Sequence, residues 1–117
     1  MTNQVVLPEQ GNTKFVQFYI DELPLLRFGS TRLKHGRILA QELTKNNIQF
    51  QVDSEHETPV LRGERYRVAG MGVCEYFGKG IHFYGYSQDY GLGPNREHIE
   101  AIKHLLGDLE IKVSSPE

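Results

Sequence analysis

Apolar and polar positions along the chain change period several times, and the changes mark its elements. Residues 1 to 12 are mostly polar, carry Pro8 and Gly11 and sustain no period. They are expected to form a flexible tail or an edge-pairing arm ahead of a domain over residues 13–114. KFVQFYI (14–20) is rich in aromatic and β-branched residues, and LPLLRFG (23–29) follows after Asp21 and Glu22. Both predict strands joined as a hairpin, with Pro24 at a strand start or edge. From Ser30 the period becomes helical: Leu33, Gly36, Ala40 and Leu43 recur, with Leu39 beside them. Ser30 or Thr31 is expected to cap this helix, and Asn46-Asn47 to stop it.

IQFQVDS (48–54) alternates and predicts a third strand, followed by a polar loop or hairpin crossing through Pro59 and Gly63. YRVAGMGVCEYF (66–77) is extended, and its glycines Gly70 and Gly72 suggest a bulge or a close backbone approach. Gly78-Lys79-Gly80 turns into IHFYGYS (81–87), an antiparallel neighbour. A second helix opens at Pro94 or Asn95, with Ile99, Ile102, Leu105 and Leu106 as its apolar stripe and Gly107 as its stop. LEIKVS (109–114) is a last strand. The order predicts an α/β (α+β) fold: one domain with a mixed sheet of about six strands flanked by two helices.

Composition narrows the function classes. The 117 residues suit one domain, and 38% hydrophobic with 24% charged residues describes a chain able to form a core. A formal net charge of -2 leaves no broad positive field, so nucleic acid is not an expected partner. The single cysteine, Cys74, excludes an internal disulfide framework and a cysteine metal cage, and reads as a small buried hydrophobe. No segment reaches the ~20 apolar residues of a membrane span, and the N-terminal stretch lacks a signal-peptide pattern. A cytoplasmic protein without membrane contact is expected.

Candidate chemistry gathers in IHFYGYSQDYG (81–91), where an apolar strand runs into small and polar residues bracketed by Gly85 and Gly91. The amides of Tyr86, Ser87, Gln88 and Asp89, together with the Ser87 hydroxyl, could converge on an anion. An ordinary turn fits the same residues, and the loop has neither P-loop nor dinucleotide spacing. Among the histidines at 35, 56, 82, 98 and 104, His35 follows Arg32-Leu33-Lys34 near a helix start and is best placed to face a site. His98 and His104 read as surface or dipole-complementing residues, and His82 as structural. No metal-ligand spacing occurs, so neither metal nor cofactor is expected. Lys14 and Arg27, one on each strand of the first hairpin, are candidate cations. Asp53 with Glu55 is a carboxylate pair in a polar loop, which argues against glycosidase chemistry.

IHFYGYSQDYG resembles the signature of the Janus/Ocnus family of phosphohistidine phosphatases, Ile-His-Val-Tyr-Gly-Tyr-Ser followed two residues later by an aromatic and a glycine. Tyr90 to Val113 fits the family's closing helix and strand, Lys14-Phe15-Val16 resembles its opening strand, and Gly70-Met71-Gly72 stands where the family has a triple glycine. Arg27 precedes His35 by eight residues, the family's separation between an arginine and its catalytic histidine. The chain departs from the pattern at Val73, which replaces an arginine, at Asn95, which stands for a loop histidine, at Lys34, which replaces an aromatic, and by an insertion at about 53–65.

The resemblance implies a phosphohistidine-phosphatase-like fold and a metal-independent hydrolysis of a P–N phosphoramidate bond. In that chemistry His35 is the general base, the amides of Tyr86 to Asp89 and the Ser87 hydroxyl cradle the phosphoryl group, and Lys14 and Arg27 neutralise it, with Asn95 at the position of the second histidine. The substrate is then a phosphohistidine-containing protein or a small phosphoramidate, and a monomer is expected. Two other readings stay open: a non-catalytic phosphate- or phosphoprotein-binding module, and a single-stranded nucleic-acid binder stacking bases on Tyr84, Tyr86 and Tyr90, which the net charge opposes.

Overall fold

The structure, a computed structural model, describes residues 3–55 and 57–114; Met1, Thr2, His56 and the last three residues lie outside the described residues. The first hairpin forms as the pattern predicts, with β1 at Gly11–Ile20 and β2 at Leu23–Gly29. Asp21 and Glu22, both at positive φ, make its two-residue turn. β3 spans Tyr66–Phe77, β4 Gly80–Tyr84 and β5 Glu110–Val113. The sheet order is β2-β1-β3-β4-β5, antiparallel except for the β4–β5 pair. A mixed sheet of five strands therefore replaces the expected six.

The missing strand is IQFQVDS. Among the described residues its only ladder is a short hairpin in which Val52 bridges Pro59 and the Asp53 amide donates to the Thr58 carbonyl at 2.7 Å. Val52 is 53% exposed, while Ile48 and Phe50 turn into the core. Alternation here marks two anchors of a connection crossing the helix, without a neighbouring strand to extend the sheet.

β1 lies between two partners, and its residues Phe15 to Phe18 are all buried, so both of its faces are covered. Successive side chains point to opposite faces. Val16 and Phe18 meet Leu25, Met71 and the stripe Ile38, Leu39 and Leu43 of α1 (His35–Lys45). Phe15 meets Leu26, Cys74, Ile81, Phe83 and the stripe Ile99, Ile102 and Leu106 of α2 (Arg96–Ile102) and the 3₁₀ turn after it. One helix thus covers each face. The N-terminal segment lies along the outer edge of β2, where Val5 pairs with Leu26 and the Leu26 amide donates to the Gln4 carbonyl.

Both helix starts are informative. Asn95 caps α2, its side chain accepting from the His98 amide at 2.9 Å, in keeping with the sequence reading. Ser30 and Thr31 do not cap α1. The Ser30 Oγ accepts from the Arg32 amide in a preceding turn, and the helix begins at His35 after Lys34, which supplies no side-chain cap. At the far end of α2 the chain tightens to a 3₁₀ turn over Lys103–Leu105 before Gly107 at φ 64°. That tightening rotates Leu105 off the stripe, leaving it 41% exposed.

The glycines of β3 act through close approach. The register shifts between Gln17, which pairs with Gly70, and Phe18, which pairs with Val68, so Ala69 beside Gly70 is the extra residue of a bulge in β3. A Cβ on Gly70 would lie 2.8 Å from the Gly93 carbonyl oxygen and 2.9 Å from the Asn95 amide nitrogen. One on Gly72 would collide with the Tyr84 carbonyl oxygen. No helix of the described residues is long and apolar enough to cross a membrane.

Candidate functional site

His35 is the first residue of α1 and only 7% exposed. Its Nε2 lies 2.8 Å from the Gly72 carbonyl oxygen. A carbonyl accepts only, so Nε2 carries the proton, and in the neutral ring the lone pair is on Nδ1. Burial holds the imidazole below the usual histidine range, against the opposing pull of the Gly72 hydrogen bond; Lys14 adds to the lowering and the Asp89 carboxylate counters it. At neutral pH the ring is therefore a base. Gly72 combines two roles: its missing side chain lets β3 and β4 approach, and its carbonyl fixes the tautomer.

After β4, Gly85 at φ 72° turns the chain out of the sheet, and Ser87 to Gly91 form a single helix-like turn closed by the Gly91 amide donating to the Ser87 carbonyl at 2.8 Å. Ser87 is 2% exposed, and its amide is occupied by the Leu92 carbonyl at 2.8 Å. That amide is removed from the expected cradle. The amides of Tyr86, Gln88 and Asp89 make no hydrogen bond among the described residues, so three of the four expected donors remain open. Two of them stand at the head of the turn, where orphan N–H groups of a helical start favour an anion.

These parts meet around one cleft of about 430 Å³, lined by Lys14, Lys34, His35, Val73 and the loop from Gly85 to Asp89. Lys14 reaches it from β1 with its Nζ donating to the Leu33 carbonyl at 2.7 Å, which leaves two ammonium hydrogens for a ligand. α1 begins at the cleft with no acidic residue in its first turn, so its N-terminal partial positive charge is not countered within the helix. Among the described residues lining the cleft, Asp89 is the one carboxylate. Two ammonium groups, open amides and a helix start against one carboxylate make a site suited to a compact anion.

Two expected site residues lie elsewhere. Arg27 is 6% exposed and on the same sheet face as α1, but it faces the middle of that helix. Its Nε meets Glu42 at 3.0 Å, and its other nitrogens donate to the carbonyls of Asn3, Gln4 and Leu26. Glu42 is two helical turns beyond His35, about 10 Å along the axis. Arg27 is consumed in joining strand, helix and N-terminal segment. Asn95 is likewise engaged: besides capping α2, its amide and carbonyl bind the Gln17 side chain and its Nδ2 donates to Ala69.

Three further residues belong to the site: Lys34 and Val73 line the cleft, and the Gly72 carbonyl holds His35. Lys34 is the immediate neighbour of His35 and could have been found from that adjacency. The Gly72 carbonyl offers no side-chain signal. Val73 supplies an apolar wall. His98, read as a surface residue, is buried: Nε2 donates to the Phe18 carbonyl, Nδ1 accepts from Gln17, and burial pushes its pKa down to about 4. Cys74 is buried and its thiol is pushed up to about 12, which leaves it inert as a nucleophile.

No family model matches the chain, and no curated protein matches it.

Proposed function

We propose that the chain is a phosphohistidine phosphatase of the Janus/Ocnus type that hydrolyses a P–N bond without a metal. The observation that carries this reading is the meeting of a neutral, hydrogen-bonded imidazole with two ammonium groups and open loop amides in one cleft. The phosphoryl group sits against Lys14, Lys34 and the amides of Gln88 and Asp89. His35 Nδ1 takes a proton from water as the water oxygen bonds to phosphorus and the P–N bond breaks. The imidazole of the phosphohistidine leaves as a neutral ring, taking the P–N electron pair while its other nitrogen already carries a proton, and inorganic phosphate is the other product. Charge that develops on the equatorial oxygens falls on groups already in place, so catalysis is positioning plus electrostatics.

Arg27 and Asn95 have no part in this scheme. A second reading, a phosphate- or phosphoprotein-binding module, is favoured by Val73, an apolar residue where the family resemblance leads one to expect a further cation. Release of inorganic phosphate from phosphoramidate, followed with and without a chelator, separates the two. The hydrolase reading expects release at equal rates in both. Saturable phosphate binding with no release above the uncatalysed background would leave the binding module.

A further inference from the structure

On the other side of Lys34 from the cleft lies a groove of about 500 Å³. One wall is the start of α1 with Arg32, Lys34 and Arg37, and the other is the 51–60 hairpin with Glu57 and Thr58. The hairpin is seated directly on the helix: a Cβ on Gly36 would lie 2.6 Å from the Thr58 Cβ. It is also tied to the phosphate-side loop, because the Tyr90 hydroxyl donates to the Pro59 carbonyl at 2.7 Å. Groove and cleft therefore share a rim, and Lys34 lines both.

The three cations of the groove are exposed, and none of them forms an ion pair among the described residues. Among the described residues lining the groove, Glu57 is the one carboxylate. An ammonium and two guanidinium groups spread along a groove, none of them buried, do not form the closed pocket that a second small anion requires. They match negative charge distributed along a chain. An extended peptide advances about 3.3 Å per residue, and because Lys34 lines both the cleft and the groove, residues flanking a phosphohistidine held in the cleft run past Lys34 toward the groove.

Resting on the phosphatase reading, we propose that this groove receives an acidic segment of the substrate protein beside its phosphorylated histidine. Such exposed pairs are individually weak, screened by salt and effective mainly in steering encounter, so the expected preference is modest and salt-sensitive.

The test compares kcat/KM for two phosphohistidine peptides, one with aspartate and glutamate flanking the modified residue and one with lysine, alongside a small phosphoramidate. The wild type should favour the acidic peptide about five- to ten-fold at low salt, and the preference should shrink at high salt. The double variant Arg32→Glu/Arg37→Glu should reverse the preference, and Arg32→Gln/Arg37→Gln should abolish it. Neither variant should alter turnover of the small phosphoramidate. Equal kcat/KM for both peptides in the wild type, or a preference unmoved by the variants, would overturn the groove assignment alone. Failure of the wild type to hydrolyse any P–N substrate would overturn the phosphatase reading and this inference with it.

Discussion

At the scale of single residues, the account depends on the state of His35. The base is effective only when neutral, and burial keeps its pKa below the ordinary 6.5. Activity should hold from neutral pH down past 6.5 and fall only as pH drops through the lowered value; a pH profile of kcat/KM reads this limb. Asp89 raises the proton affinity of His35 and repels a bound phosphoryl group. Asp89→Asn should move the acid limb further down and tighten inorganic phosphate binding about two- to ten-fold, measured by calorimetric titration. Gly72→Ala inserts a methyl group against the Tyr84 carbonyl and displaces the oxygen that holds Nε2. It should destabilise the fold by about 1–3 kcal/mol in urea titration and also lower kcat.

At the scale of elements, Arg27 links β2, α1 and the N-terminal segment through Glu42 and three carbonyls. Arg27→Gln leaves the largely buried Glu42 with Lys45, at 3.6 Å, as its remaining ion-pair partner, so unfolding free energy should drop by about 2 kcal/mol. Activity of the protein that remains folded should stay within about two-fold, because Arg27 does not reach the cleft. An arginine on a predicted strand beside a predicted site was legible; its partner, fifteen residues away on a helix face, was not. Asn95 and Gln17 show the same limit across a separation of 78 residues. Local pattern did locate β1, β2, both helices and the cap of α2, since each depends on near neighbours, but it left Ile38 out of the α1 stripe and placed Leu105 in that of α2. It misplaced a strand at 48–54, because alternation reports which side chains are anchored and says nothing of whether another strand lies alongside.

At the scale of the whole molecule, two cores on opposite faces of one sheet are joined through β1, and His98 is buried at its α2 side. Its folded pKa of about 4 lies below the unfolded value near 6.5, so the unfolded chain binds the extra proton between them. Stability is fully present above pH 6.5 and should fall by about 3 kcal/mol as pH drops toward 4, with urea titrations across that range as the measurement. His98→Gln should flatten this slope. His35, lowered in the same direction, adds to the loss over the upper part of the window.

The cleft itself was partly legible. The glycine-bracketed loop, Lys14 and His35 converge on it, whereas the loss of the Ser87 amide to Leu92 depends on how the turn closes. The most direct test is phosphate release from a phosphohistidine peptide by the wild type and by His35→Ala, with folding of both checked by circular dichroism. The account predicts turnover by the wild type and a loss of about 10²–10⁴-fold in the folded variant, the range supplied by a positioned general base. Equal rates for the two folded proteins would contradict it.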